Sequence, residues 1–169
     1  MGGNEVIIVG PGQTRHADGR SLVVPDEVQC KVRTSDLGGR LCIVLADHAP
    51  WQGSPLHRHL DGDEWFYVIK GEFAYEVGGA LHRVLEGGSL VAPSRIPHRY
   101  INGPAPGTLM IGLTPGGRLE EFFEEAARLR DNPVSTPPSR ETLVALYSKY
   151  NVEYLGERLT KEDFANAST

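Results

Sequence analysis

Three histidines and one glutamate in two short segments form the most informative pattern in the sequence. His57 and His59 stand two residues apart, Glu64 follows them, and His98 comes after the proline-rich stretch 93–97. In an extended strand, side chains two residues apart lie on the same face, so both imidazoles can bind one ion from neighbouring positions. His98 is the natural candidate for a further ligand. The spacing therefore predicts a metal site.

Glu64 has the wrong parity to share that face if the strand simply continued. The Leu-Asp-Gly-Asp sequence at 60–63 carries a turn signal that lets the chain reverse and present Glu64 to the same side. Apolar runs at 65–69 and 89–92 would leave this carboxylate poorly hydrated, and a buried carboxylate is costly unless it is paired or coordinated. Three nitrogens and one oxygen favour one divalent transition-metal ion (iron, manganese, nickel, copper, cobalt or zinc) over calcium. The alternative is that these are ordinary solvated side chains.

The same residues carry a resemblance to the cupin superfamily. The first motif of that family is glycine, five residues, His-x-His, three or four residues, glutamate, six residues and glycine. The second is glycine, five residues, Pro-x-Gly, two residues, histidine, three residues and asparagine. The positions that match the two motifs are His57, His59, Glu64, Gly71, Gly87, Pro93, His98 and Asn102. Two motif glycines are replaced, by Trp51 and Arg95, and both replacements fall on turn positions. An arginine near the mouth of a barrel could also meet an anionic substrate.

The resemblance implies an all-β fold: a cupin double-stranded β-helix, or jelly-roll barrel, with C-terminal helices. Short apolar runs separated by glycine and proline turns agree with it. Residues 6–9 are the first candidate strand, and the runs 64–70 and 72–77 predict a hairpin across Gly71. We divide the chain into a cupin barrel with N-terminal strands over residues 1–116 and a helical C-terminal extension over residues 117–169.

Apolar residues in the C-terminal extension recur at a helical spacing and not at the spacing of strands. Apolar residues recur at helical spacing from Leu119 to Arg130, and a second helix is predicted near residues 139–150. These apolar stripes would cover the barrel or a partner subunit, or form a lid over a pocket. Because an exposed strand edge is a liability that pairing removes, we expect a homodimer.

Composition excludes several classes of function. The chain has 169 residues with 17 basic and 22 acidic side chains, a net charge of −5, and no basic stripe. We therefore expect no nucleic-acid partner. No apolar run approaches the length of a membrane span, and the N-terminal residues lack the features of a signal peptide, so we expect no membrane association. Two widely separated cysteines, Cys30 and Cys42, favour free thiols and a cytoplasmic location.

The segment after the last predicted strand gives the most specific hint of activity. Pro-Gly-Gly at 115–117 followed by Glu-Glu-Phe-Phe at 120–123 resembles the tail of quercetin-dioxygenase-like single-domain cupins. That resemblance implies a metal-dependent dioxygenase or other oxidoreductase that uses dioxygen on a small hydroxylated, flavonol-like or enolic substrate. It also implies that Glu64 acts both as a ligand and as a catalytic proton acceptor.

Two alternatives stay open at this point. The first is a non-oxidative, metal-dependent cyclase, isomerase or lyase of secondary metabolism, and the second is a non-catalytic cupin that binds a small molecule. For the oxidative enzyme, strand alternation or position on the closing strand suggests four pocket residues, with core packing as the alternative for each: Phe66, Val68, Tyr100 and Met110.

Overall fold

Eleven strands and three α-helices lie in the part of the chain that the computed structural model describes, residues 6–23, 27–131 and 138–169. The strands are β1 (Leu22–Val23), β2 (Glu27–Val32), β3 (Cys42–His48), β4 (Pro55–His59), β5 (Asp63–Lys70), β6 (Glu72–Val77), β7 (Ala80–Leu85), β8 (Ser89–Ala92), β9 (His98–Asn102), β10 (Gly107–Thr114) and β11 (Val152–Arg158). The helices are α1 (Leu119–Arg130), α2 (Arg140–Lys149) and α3 (Lys161–Asn166). Among these residues, no helix is long and apolar enough to cross a membrane.

The strands form two antiparallel sheets that share one apolar core. The first sheet has the order β1-β2-β3-β10-β5-β8, and the second has the order β11-β4-β9-β6-β7. Inward-facing side chains of both sheets, such as Phe66, Phe73 and Leu109, are buried in a single cluster. Alternation along each strand produces this arrangement, because every second side chain points between the sheets. The predicted all-β jelly roll with C-terminal helices is confirmed.

The predicted hairpin across Gly71 is wrong. Strand β5 pairs with β10 and β8, whereas β6 pairs with β7 and β9, so the chain changes sheets at Gly71. A single connecting residue is too short for the common two-residue hairpin turn. The true hairpin joins β6 to β7 through Gly78 and Gly79, whose φ angles of 58° and 86° suit a tight turn of this kind.

The N-terminal candidate strand is also wrong. Residues 6–9 form no strand, and the side chains of Val6 and Ile8 are 82% and 85% exposed. Their β-branched composition favours a strand only where a neighbouring strand offers hydrogen bonds and packing. The barrel instead begins with the short β1 and with β2, which pairs with β3.

The C-terminal extension contains the two predicted helices but is not helical throughout. Helix α2 begins after Ser139, whose side chain accepts a hydrogen bond from the backbone N–H of Thr142. Strand β11 then pairs with β4 as the outermost strand of the second sheet, and α3 follows. The sequence did not predict β11, because Gly156 interrupts the strand and shifts its register. The division at residues 116 and 117 stays a prediction, as does the homodimer.

Candidate metal centre

The four predicted ligands meet between the two sheets. His57 and His59 lie on β4, and His98 on β9 stands directly opposite His57 in the strand register. Glu64 lies on β5 of the facing sheet, where the bend after His59 returns the chain. One potential ligand atom from each residue falls within 4.8 Å of all the others. The predicted change of direction between His59 and Glu64 is thus present.

The carboxylate of Glu64 is the centre of this cluster. Its Oε2 atom lies 2.8 Å from Nε2 of His98, 3.2 Å from Nε2 of His59 and 3.7 Å from Nε2 of His57. All four residues are buried, and Glu64 is only 5% exposed. The donors therefore converge on one point from which bulk water is largely excluded.

Hydrogen bonds on the far side of two rings fix how the histidines face that point. Nδ1 of His57 donates to the carbonyl of Pro55 at 2.8 Å, and Nδ1 of His98 donates to the carbonyl of Ile96 at 3.0 Å. With Nδ1 protonated, the Nε2 lone pair of a neutral ring points into the cluster, as metal ligation requires. Nε2 of His59 is buried without a hydrogen-bond partner among the described residues. A metal ion would satisfy this atom, so the donor set fits one.

The protonation states of the clustered side chains favour the binding of a cation. Burial raises the pKa of Glu64, but attraction to the three neighbouring imidazoles, with the charge of His59 the largest contribution, outweighs burial and holds that pKa well below its usual range. Burial lowers the pKa of His57 to about 4. For His98, burial is overcome by the hydrogen bond and charge of Glu64, which raise its pKa. At neutral pH the site therefore presents an ionised carboxylate and a neutral His57, the forms that bind metals.

A cavity of about 380 Å³ opens onto the cluster. The barrel supplies one wall, including Val28, Ala46 and Ile111, and the C-terminal extension supplies the other. The side chains from the extension that line it are Leu119, Phe122, Phe123, Ala126, Leu143, Leu146, Tyr147, Tyr150, Val152, Tyr154, Glu157 and Arg158. Its size is within the range of small-molecule sites.

Only one of the four predicted pocket residues lines this cavity. Tyr100 does, whereas Phe66 and Val68 are buried in the apolar core. Met110 is half-buried and alternates with Leu109 and Ile111, the inward-facing residues of β10, so it points to the other face of the sheet. Position on the closing strand alone did not fix the face of the sheet on which Met110 lies.

Sequence reasoning missed a polar pair in the cavity wall. Nε2 of His48 lies 2.9 Å from the Tyr100 hydroxyl, and the two rings stack nearly parallel at an angle of 4°. His48 is the last residue of β3, where every second side chain, starting from Cys42, is buried. That alternation is the signal that could have placed His48 inside the barrel.

The two replaced motif glycines occupy strained backbone positions. Trp51 has a φ of 65° and Arg95 a φ of 67°, both in the left-handed region that favours glycine. The backbone N–H of Arg95 donates to the carbonyl of His59 at 2.7 Å, which ties this turn to a ligand strand. The side chain of Arg95 is exposed and does not line the cavity. The turns therefore keep their shape despite the substitutions.

A family model matches the part of the chain that holds this site. Residues 44–111 match the family model described as Cupin domain, and the matched segment includes all four clustered residues. This segment of the chain therefore resembles a cupin domain. Its buried cluster of three histidines and one glutamate fits a metal site typical of cupins.

Solved structures show the same fold at low sequence identity. KdgF from a Halomonas species is 21% identical over 63% of this chain and 94% of that one, with a TM-score of 0.53. A conserved protein with a double-stranded beta-helix domain from Klebsiella pneumoniae is 23% identical over 68% of this chain and 94% of that one, with a TM-score of 0.52. An RmlC-like cupin from Shewanella frigidimarina is 21% identical over 69% and 96%, with a TM-score of 0.51. No curated protein gives a significant match.

Proposed function

We propose that the protein is a metal-dependent cupin enzyme, a dioxygenase or related oxidoreductase that acts on a small hydroxylated substrate of flavonol-like or enolic type. The observation that carries this proposal is the cavity that opens directly onto the buried cluster of His57, His59, Glu64 and His98. A purely structural ion needs no access for a ligand. The cluster and the cavity together support a site at which a small molecule meets the metal.

Any ion of the proposed set would be held by the three imidazoles and the Glu64 carboxylate. When bound, such an ion would supply Lewis-acid character toward a substrate hydroxyl, and every member of the set except zinc would also supply redox chemistry toward dioxygen. Glu64 is ionised at neutral pH because its pKa lies well below the usual range, despite the opposing effect of burial. The ionised carboxylate has the protonation state that a general base needs, and an enolic hydroxyl made more acidic by a bound ion would give it a proton.

The remaining walls orient the substrate and exclude water. Ile111, Leu119 and Leu146 present apolar surface to the cavity, which favours a planar or aromatic body. The hydrogen-bonded pair of His48 and Tyr100 supplies polar atoms on the barrel side. A substrate with one apolar part and a few oxygen atoms fits this distribution.

The first test is elemental analysis of protein purified without chelators or a metal-affinity tag. We expect about one transition-metal ion per chain in the wild type and none in a His57→Ala, His98→Ala double variant. Replacement of His82, an exposed histidine on β7, by alanine is the matched control and should leave the metal content unchanged. Oxygen uptake is then measured with flavonols and enolic compounds under each candidate metal.

Each outcome decides between the candidate activities. Metal-dependent oxygen uptake that the double variant loses would support the proposal. Substrate turnover without oxygen uptake would overturn the oxidative activity in favour of a cyclase, isomerase or lyase. A wild type that binds no ion after reconstitution with iron, manganese, nickel, copper, cobalt and zinc in turn would overturn metal-dependent catalysis and leave a binding protein.

A further inference from the structure

Arg158 is a cationic side chain at the cavity whose charge has little to neutralise it. It is exposed at the end of β11 and lines the cavity that leads to the cluster. Within the described part of the chain, the side-chain partner of its guanidinium is the neutral amide oxygen of Gln52, at 3.2 Å from Nη1. Nearby Glu157 also lines the cavity, and its carboxylate accepts a hydrogen bond from Tyr154 at 3.3 Å. Most of the donors of Arg158 thus remain available.

The backbone that carries Arg158 is held in place. Nη1 of Arg99 on β9 donates to the carbonyls of Glu157 at 2.9 Å and Arg158 at 3.3 Å. Arg99 is itself fixed by two hydrogen bonds to the carboxylate of Glu76 on β6, at 2.6 and 2.8 Å. A cationic group on a fixed backbone loses less entropy when it binds a ligand.

The charge of Arg158 reaches the interior of the cavity. Burial chiefly lowers the pKa of His48 to about 4, and Arg158 acts in the same direction. Burial raises the pKa of Tyr147, and Arg158 opposes that rise. Both side chains line the cavity, and Tyr147 also packs against His57 at 5.8 Å between ring centroids. Arg158 and the cluster residues His57, His59 and Glu64 line the same cavity, so Arg158 faces the same space as the cluster.

We infer that Arg158 binds a carboxylate of the substrate, and that the substrate is a small organic acid with an apolar body. Guanidinium presents paired donors that match a carboxylate, whereas the other walls are largely apolar or hydroxylated. This inference rests on the proposed function, because it places the substrate in the cavity beside the metal cluster. It favours enolic acids over neutral flavonols. Arg158 also takes the anion-binding role that the sequence suggested for Arg95.

The test compares two probes of similar shape, of which one carries a carboxylate and the other a neutral methyl ester. Phenylpyruvate and its methyl ester share an enolisable, aromatic body, and only the first carries a carboxylate. Binding of each to metal-reconstituted protein is measured by titration calorimetry for wild type, Arg158→Gln, Arg158→Lys and Arg58→Gln. Arg58 is the matched control, because it lies on β4 between the two histidines but outside the cavity, where it pairs with Glu153.

We expect the wild type and Arg58→Gln to bind phenylpyruvate at least ~10-fold more tightly than the ester. Arg158→Gln should bind both probes equally weakly, and Arg158→Lys should retain part of the preference. Equal binding of the two probes by the wild type, an unchanged preference in Arg158→Gln, or no detectable binding of phenylpyruvate by the wild type would overturn the inference. Circular dichroism confirms that each variant is folded.

Elemental analysis of the same samples separates the two proposals. One ion per chain without any effect of Arg158 would refute the carboxylate site and leave the metal-dependent function standing. Carboxylate binding that depends on Arg158 in protein that holds no ion would refute metal-dependent catalysis and keep the carboxylate site.

Discussion

The metal should act as a cross-link between the two sheets, and replacing Glu64 by glutamine should remove it. His57, His59 and His98 come from one sheet, whereas Glu64 is the ligand from the other. An ion present at 100 times its Kd stabilises the folded state by about 2.7 kcal/mol. For a chain of 169 residues this corresponds to a rise in Tm of roughly 5 to 11 °C.

Glu64→Gln keeps the shape of the side chain but removes its charge. Deleting one partner of a buried charged pair costs about 3 to 5 kcal/mol, which here would weaken metal binding by about 100-fold or more. At the same metal concentration the variant would be at most half-loaded, and its stabilisation would fall to about 0.4 kcal/mol. The rise in Tm should therefore shrink to roughly 1 to 2 °C.

The assay is thermal unfolding with and without the metal, because each protein then serves as its own reference. Glu153→Gln is the matched control: Glu153 lies on β11 beside Arg58, and its carboxylate is well exposed. This control should keep the full rise in Tm. If Glu64→Gln keeps the full rise as well, the ion is not held between the sheets as we describe and the reasoning fails.

Three further predictions concern stability. Burial lowers the pKa of His48 from 6.5 to about 4, so this side chain gains a proton only in the unfolded state as the pH falls from about 6.5 to 4. The free energy of unfolding should therefore drop by up to about 3 kcal/mol over this range. Urea titrations of His48→Gln should lack this pH-dependent drop. Arg95→Gly should raise the free energy of unfolding by about 1 kcal/mol without altering metal content, because the φ of 67° favours glycine. A loss of stability would show that the backbone at Arg95 is not strained. Glu120→Ala should cost about 2 to 4 kcal/mol in thermal unfolding, because its buried carboxylate accepts hydrogen bonds from the backbone N–H and the hydroxyl of Thr34.

Three of the four clustered residues were predictable because short stretches of sequence determine where their side chains point. Parity brings His57 and His59 to one face, and the turn signal before Glu64 is written in four consecutive residues. His98 was a candidate because it begins a strand-like run after a proline-rich stretch, but its position beside His57 could not be derived locally, since nothing in the sequence states that β9 pairs with β4. The structure supplies that pairing, with His98 opposite His57.

The errors arise where long-range pairing decides the outcome. The adjacent strands β5 and β6 fit a hairpin by sequence but join different sheets. Strand β11 has no strong pattern of its own and exists because β4 offers it a partner. Residues 6–9 have a strong pattern but form no strand. Local propensity therefore identified the core strands and failed at the two ends of the chain.

The C-terminal extension covers the strand that carries two of the clustered histidines and lines part of the cavity. Without β11, strand β4 would be the edge of its sheet, and it carries His57 and His59. In the register, Tyr154 stands opposite His57 and Val152 opposite His59, so the segment that covers the ligand strand also lines the cavity. The family match ends at residue 111, before this segment begins. The family match therefore covers the cluster and most of the barrel, whereas the part of the cavity wall from Leu119 to Arg158 lies outside it.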